Sequence, residues 1–300
     1  MGICEGRVVN VTGGARGIGR EHSLAFAREG AKVVVNDLGG GADGSGSNAG
    51  AAAEMVEEIR ASGGEAIANG ADVADWDATA GLVEAAVSAF GRLDVVVNNA
   101  GILRDRMFVN TSIEEWDSIM RVHLRGHFCT SRHAAAYWRD RVKAGERVAA
   151  RIINTSSGAG LQGSIGQSNY VAAKAGIAAL TLNQAAELER YGITANCIAP
   201  SARTRLTEGV FEDMMSRPDG GFDAMDPANI SPLVVWLGSE ESEGITGRCF
   251  EVEGGEIRVA DGWRSGPSID KGARWDPAEV GAAVHDIIGK AVPAQKVFGT

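Results

Sequence analysis

The chain has 300 residues, of which 44% are hydrophobic and 23% charged, and it carries a net charge of −10. That length suits one large α/β domain or two small ones, and the acidic balance argues against nucleic acid or an anionic membrane as the main partner. An export signal or bilayer span is not expected either: MGICEGRVVNVTGG runs straight into a strand-like pattern, and no stretch has the apolar length of a membrane helix.

In chain order, RVVNVT (7–12) predicts a first strand that feeds TGGARGIG and a helix over 17–29. Gly13, Gly17 and Gly19 in that turn permit a pyrophosphate to approach backbone N–H groups at the helix N-terminus, where the dipole favours anions. KVVVN (32–36) is the second strand and ends at Asp37, whose carboxylate can accept both hydroxyls of an adenosine ribose and would repel a 2′-phosphate. A plain turn aspartate is the alternative, and Arg16 in the glycine loop points towards a phosphate instead. The balance favours NAD. The glycine-rich 38–53 reads as a mobile loop before a helix that ends at 61. EAIAN (65–69) is followed by Asp72 and Val73, which suit an adenine contact, and by a helix over 76–90. LDVVVN (93–98) leads into Asn99, Ala100 and Gly101, where a backbone can come close to a cofactor.

One long helix is expected over 113–143, and it contains RVHLRGHF, with His123 and His127 four residues apart. Zinc hydrolases use that spacing, but they place a glutamate beside the first histidine, where this chain has Leu124, and no third ligand is spaced to complete a site. No metal is expected. ARIINTS (150–156) precedes Ser157, and a helix over 168–190 opens with YVAAK, Tyr170 and Lys174 sharing one helix face. ITANCI (193–198), a helix over 227–238 and RCFEV (248–252) complete the alternation. Between them, 205–225 carries Phe211, Met214 and Met215 at helical spacing and suits a packed helix, a substrate lid or both. Beyond Glu256 runs a tail with Trp263 and Trp275, too short for a second domain, and its AQKVFGT end is neither a prenylation box nor a peroxisomal address. The four cysteines are scattered, so reduced thiols and a cytoplasmic setting are expected.

Repeated β-α-β units with nearly continuous apolar strands predict an α/β, Rossmann-type doubly wound parallel sheet with helices on both faces. The hydroxyl of Ser157, the phenol of Tyr170 and the ammonium of Lys174 suit removal of a proton from a secondary alcohol while hydride leaves to a nicotinamide. A free phenol, with a pKa of about 10, is a poor base. One cation about 4 Å away at an effective dielectric near 20 supplies about 4 kcal/mol, roughly three units of lowering. The positive ring of an oxidised nicotinamide adds to that, so Tyr170 is the expected general base, Lys174 its activator and ribose anchor, and Ser157 a donor to the substrate oxygen.

TGGARGIG, NNAG, Ser157, YVAAK and NCIAP, in this order and spacing over 6–257, resemble the short-chain dehydrogenase/reductase superfamily. The resemblance implies a seven-stranded sheet, NAD(P)-linked redox chemistry and cofactor contacts that add Ile18 and Pro200 to the residues above, with Tyr170 and Lys174 serving cofactor as well as substrate. VVVNDLGG, VVVNNAGILRDR, RVHLRGHF, ISPLVVWL and CFEVEGG are similar to the (3R)-hydroxyacyl-CoA dehydrogenase unit of the peroxisomal multifunctional enzyme type 2 group, which implies a role in lipid metabolism. The implied reaction is oxidation of a (3R)-hydroxyacyl-CoA thioester with NAD. A 17β-hydroxysteroid or other bulky-alcohol dehydrogenase, a 3-oxoacyl reductase, and an idle NAD-binding regulator remain the alternatives. The same group implies a homodimer or homotetramer, and a division into a core over 1–257 and an extension over 258–300 packed on the core or at a subunit interface. His123 falls where the superfamily has an asparagine, which implies a proton relay behind the lysine; His127 reads as packing or interface. Arg104, Arg106, Arg203 and Arg205 are candidates for the CoA phosphates, with surface or interface ion pairs as the alternative. No hydratase or sterol-carrier segment follows, so partner activities are expected on other chains.

Overall fold

The valine-rich runs form the middle of one sheet. In the computed structural model, which describes residues 2–46, 48, 50–204, 218, 220–293 and 295–298, the strand order is β3-β2-β1-β4-β5-β6-β7-β8. The strands are β1 (Val8–Thr12), β2 (Lys32–Asn36), β3 (Glu65–Asn69), β4 (Val95–Asn98), β5 (Ala150–Thr155), β6 (Ile193–Ser201), β7 (Cys249–Glu253) and β8 (Glu256–Ala260). The first seven are parallel, as expected. The eighth is an addition to the expected seven: β8 folds back antiparallel on β7, with Glu253 opposite Glu256 across the Gly254–Gly255 turn. Two adjacent glycines make a tight hairpin accessible, and Gly254 adopts φ +55°. This strand straddles the expected boundary at 257.

The strands are buried on both faces. Val9 and Val11 of β1 join Phe26 of α1 (Gly17–Arg28), Ile59 of α2 (Gly50–Ala61) and Val234 of α8 (Ser231–Gly238) on one face. Val8 joins the opposite face with Val83 of α3 (Trp76–Phe90), Trp138 of α5 (Gly126–Lys143) and Ala185 of α7 (Ser168–Leu188). Each such buried valine contributes roughly 1.5–3 kcal/mol relative to exposure, which explains why the strands read as unbroken apolar runs. Strand order reverses between β1 and β4, so a crevice opens at their carboxyl ends.

The single helix expected over 113–143 is interrupted. It starts as α4 (Ile113–Met120), capped by Ser112 and Glu115, passes through a π-helical turn (Arg121–Arg125) and continues as α5. A π turn adds one residue to the helical repeat and rotates the downstream helix. Here it buries both His123 and His127. The glycine-rich 38–53 is tied down more than its composition implies: Leu103 N–H donates to Ala42 O at 3.0 Å, and Asn48 N–H to Leu38 O at 3.1 Å.

Two further helices were not foreseen. The short α6 (Gly158–Gln162) follows Ser157, whose Oγ caps it by accepting from Ala159 N–H. In the tail, α9 (Pro277–Lys290) begins with a capping box of Asp276 and Glu279 and leaves Val280, Val284 and Ile288 exposed. Phe211, Met214, Met215 and Arg205 lie outside the described residues. Among the described residues, no helix is long and apolar enough to cross a membrane.

Candidate active site

A cavity of about 400 Å³ opens at the carboxyl ends of β1, β2, β4, β5 and β6. Its first half is mostly backbone. Gly13 (φ +63°) turns the chain out of β1, and a Cβ on Gly19 would lie 2.1 Å from Gly13 O, so only glycine lets α1 seat against that turn. Asn99 braces the same turn: its Nδ2 donates to Thr12 O at 3.1 Å and to Gly13 O at 3.3 Å. Thr12 Oγ1 accepts from the N–H groups of Asn99 and Ala100, so the loops after β1 and β4 are joined.

Asp37, at the end of β2, accepts from Ala15 N–H at 3.1 Å and Gly39 N–H at 2.7 Å. Its carboxylate is therefore fixed beside the glycine turn. Arg16 is turned aside, its guanidinium donating to Gly40 O at 3.2 Å. Asp72 pairs with Arg121 at 2.6 Å and accepts from Ala74 N–H. Gly13, Arg16, Gly17, Ile18, Asp37, Asp72, Val73, Asn99, Ala100, Gly101 and Pro200 all border this cavity, as do Tyr170 and Lys174; Gly19 lies beneath, against Gly13. The glycine-rich turn at the start of α1 and the fixed carboxylate beside it together fit a dinucleotide.

The second half is built from buried side chains. Ser157, Tyr170, Lys174 and His123 border the same cavity. Lys174 is 3% exposed; its Nζ donates to Thr155 O at 2.7 Å and stands 5.5 Å from the Tyr170 ring centroid. The His123 ring meets Tyr170 edge-on at 5.3 Å. A Cβ on Gly101 would lie 2.5 Å from His123 Cε1, so this glycine makes room for the imidazole.

Burial displaces two proton equilibria here. Burial pushes the Tyr170 phenol up to about 12; a hydrogen bond with Ser157 opposes that push and the Asp105 charge adds to it. Burial also brings the Lys174 ammonium down to about 7. A lysine held by a carbonyl rather than a carboxylate is itself poorly stabilised as a cation, so it does not by itself draw the phenol down by three units. Tyr170 is only half-buried and borders the open cleft, and solvent there tempers the upward push.

Both histidines turn ring nitrogens to the backbone. His127 Nδ1–H donates to His123 O at 2.7 Å, which leaves its Nε2 to accept from Thr155 N–H at 3.3 Å. Burial brings His127 down to about 3, and Lys174 adds to that effect. His127 is thus a packed core residue. His123 Nε2 sits 2.8 Å from Ile102 O and 3.0 Å from Ile102 N, while its buried Nδ1 has no hydrogen-bond partner. Burial first, then Lys174, holds this imidazole neutral, so one nitrogen can pass a proton on. Among the described residues no cluster of three or more His, Cys, Asp or Glu is arranged to hold a metal ion.

Of the four arginines considered for phosphates, Arg203 is buried against Asp223, Arg106 pairs with Glu115 at 3.0 Å, and Arg205 is outside the described residues. Arg104 is half-buried, and its carbonyl accepts from Asn169 Nδ2. Sequence reasoning missed Arg121, Gln167 and Phe298 at the cavity. Gln167 is 5% exposed and donates Nε2–H to Asp105 at 2.9 Å. Its place one helical turn before Tyr170 is the signal that could have found it.

Comparison with known proteins agrees with this architecture. A family model described as short chain dehydrogenase matches residues 7–214. The chain is 43% identical to hydroxyacyl-CoA dehydrogenase ChsB1 of Mycobacterium tuberculosis, over 98% of this chain and 92% of that protein. It is 47% identical to peroxisomal multifunctional enzyme type 2 of Mus musculus, over 84% of this chain but 32% of that longer enzyme. Against 3-oxoacyl-[acyl-carrier-protein] reductase FabG of Staphylococcus aureus the identity is 39%, over 82% of this chain and 96% of the relative. A crystal structure of a short chain dehydrogenase from Mycobacterium avium superposes with a TM-score of 0.90 at 63% identity, covering 100% of both chains.

Proposed function

The chain belongs to the short-chain dehydrogenase family, and from that premise we propose that it oxidises (3R)-3-hydroxyacyl-CoA thioesters to 3-oxoacyl-CoA with NAD. The observation that carries the proposal is the convergence of Ser157, Tyr170 and Lys174 on one cavity whose other half presents a fixed Asp37 carboxylate. Two relatives, one named a hydroxyacyl-CoA dehydrogenase and the other a peroxisomal multifunctional enzyme, support the substrate class.

Gly13, Gly17 and Gly19 would admit the pyrophosphate, Asp37 the adenosine ribose, and Lys174 the nicotinamide ribose. When bound, the dinucleotide supplies the hydride acceptor and a positive ring. Ser157 Oγ–H holds the substrate oxygen. Tyr170, as the phenolate, takes the hydroxyl proton and becomes the neutral phenol; Lys174 stabilises the phenolate before that transfer. His123, neutral and with Nδ1 free of protein partners, passes the proton on from behind the lysine. Because burial raises Tyr170 and lowers Lys174 in the protein itself, activation of the base depends on the positive charge that the site receives with its cofactor.

Exposed Phe128 and Leu182, on α5 and α7, support a homodimer or homotetramer. The thiols of Cys197 and Cys249, neighbours across β6 and β7 and both free, suit a reducing cytoplasm. For the expected division into a core over 1–257 and an extension over 258–300, the pairing of β8 with β7 supports moving the boundary to just after Ala260.

A second reading, reduction of a 3-oxoacyl thioester with NADPH, draws on Arg16 and on the reductase relative. Asp37 opposes it, since a carboxylate beside a 2′-phosphate is repulsive. Initial rates of NAD and NADP reduction across (3R)- and (3S)-hydroxyacyl-CoAs and 17β-hydroxysteroids separate these readings. The proposal expects the (3R) thioesters with NAD to dominate; preference for NADP or for steroids would remove it.

A further inference from the structure

The last described residues of the chain return to the candidate active site. Phe298 N–H donates to Gly163 O at 3.2 Å, and Ile165 N–H donates to Phe298 O at 3.1 Å. These two bonds make a short parallel bridge between Ser164 and Phe298. The side chains dock as well. A Cβ on Gly158 would lie 3.1 Å from the Phe298 ring, and one on Gly163 would lie 3.3 Å from Val297 Cγ1. The receiving segment is thus shaped by missing side chains at two positions.

Gly158 directly follows Ser157, so the Phe298 ring lies against the backbone that carries the catalytic hydroxyl. Phe298 also borders the cavity while leaving 44% of its surface exposed. Other apolar groups continue from it. Ile165 is 49% exposed and Met107 56%, and Met107 Sδ stands 4.0 Å from a Cβ built on Gly166. An aromatic ring half-covered by its own chain, at the mouth of a reacting centre, leaves apolar surface for a ligand to cover.

We infer that Phe298 is a specificity-determining residue of this site: delivered by the returning C-terminal segment, its ring sets the width of the cleft beside Ser157 and packs on the apolar part of the alcohol next to the reacting carbon. The inference rests on the reading of Ser157 and Tyr170 as the reacting end of the cavity. It takes the extension from a peripheral appendage to one wall of the pocket. A side chain at Gly158 or Gly163 would press on the segment and make it give by a few tenths of an ångström.

The test uses full-length Phe298→Ala and Phe298→Trp with hydroxyacyl-CoAs from short to long and from linear to branched. The alanine variant gains room, so its kcat/KM preference shifts towards bulkier substrates by about tenfold, while the tryptophan variant shifts about as far the other way. The affinity for NAD, read by fluorescence titration, stays within about twofold in both, because the dinucleotide half of the cavity does not include this ring. Hydrogen exchange at the Ile165 amide reports docking directly: protected in wild type and in Phe298→Trp, and fast in Phe298→Pro, which lacks the N–H that reaches Gly163.

Variants that fold yet keep the wild-type rank order of substrates, or an Ile165 amide that exchanges equally fast in every chain, would overturn the inference. Should the wild type oxidise a different class of alcohol, the substrate proposal falls and the same rank-order comparison is made on that class. A wild type inert towards every alcohol sinks both.

Discussion

The two halves of the cavity solve different problems with different materials. The dinucleotide half is made of backbone: glycines that vacate space, N–H groups, and a carboxylate whose orientation comes from Ala15 and Gly39. The reacting half is made of buried ionisable side chains whose proton equilibria are displaced by their surroundings: Tyr170 upwards, Lys174 and His123 downwards. Steric fit governs the first and desolvation the second. Substitutions in the glycine turn should therefore act on affinity and those at Ser157 on the chemical step, while Tyr170 and Lys174 couple the two ends through charge.

The largest effect separating the halves is expected from Ser157→Ala. Loss of one donor to the substrate oxygen lowers kcat by about 10²–10³-fold, while titration with NAD finds unchanged affinity. An equal loss of NAD affinity would mean that the halves are not separable.

Lys174→Met comes next and tests the electrostatic half through stability. The folded pKa of Lys174 is lowered from 10.5 to about 7, so the unfolded chain binds the extra proton between those values. Stability then rises with pH across that window, and the cost of the buried ammonium is largest at and below pH of about 7. Removing the amine relieves a desolvation cost of roughly 4–5 kcal/mol near neutrality, offset in part by loss of the hydrogen bond to Thr155 O, and the gain fades as pH approaches the unfolded value. Urea unfolding at several pH values reads this directly, and a variant less stable than wild type throughout would contradict it.

Acid acts in the opposite sense. His22 and His127 are buried with folded pKa values of about 3, and His123 lies well below its usual value. Below the unfolded value near 6.5 the unfolded chain takes up protons that the fold refuses, so stability falls as pH falls. From pH 7 to pH 5 His22 and His127 each cost about 2 kcal/mol. His22→Gln, which keeps a hydrogen-bonding partner for Ser231, should flatten that loss by one histidine's share; an unchanged pH slope would refute the assignment.

The smallest effect belongs to the steric half. Gly19→Ala forces a Cβ onto Gly13 O, shifts the turn and weakens NAD by about tenfold, or about 1.4 kcal/mol, without altering the pH dependence of the bound enzyme. Calorimetric titration measures the first and a pH–rate series the second.

These contrasts track what was readable in the sequence. The dinucleotide half was legible because its determinants are local: TGGARGIG, Asp37 and NNAG each sit at the end of a strand that announces itself by valines. The Ser157, Tyr170 and Lys174 set was legible for the same reason. The π turn at RVHLR was not, because one extra residue inside a helix leaves its apolar spacing nearly intact. Strand β8 hid in a short charged run, EIRVA, whose pairing partner becomes evident only once the Gly254–Gly255 turn is formed. Phe298 was invisible because nothing local links a residue near the C-terminus to Gly158. The upward push on Tyr170 was invisible too, since burial is a property of the packed molecule.

The most direct test of the proposed base is stopped-flow formation of NADH from (3R)-hydroxyacyl-CoA at saturating NAD, between pH 6 and pH 9, in wild type and in Tyr170→Phe. If Tyr170 is the base that the site activates, the wild-type rate climbs with pH as the phenol deprotonates, and the variant loses about 10²–10⁴-fold at every pH. A wild-type rate independent of pH, or a variant that turns over like wild type, would contradict it.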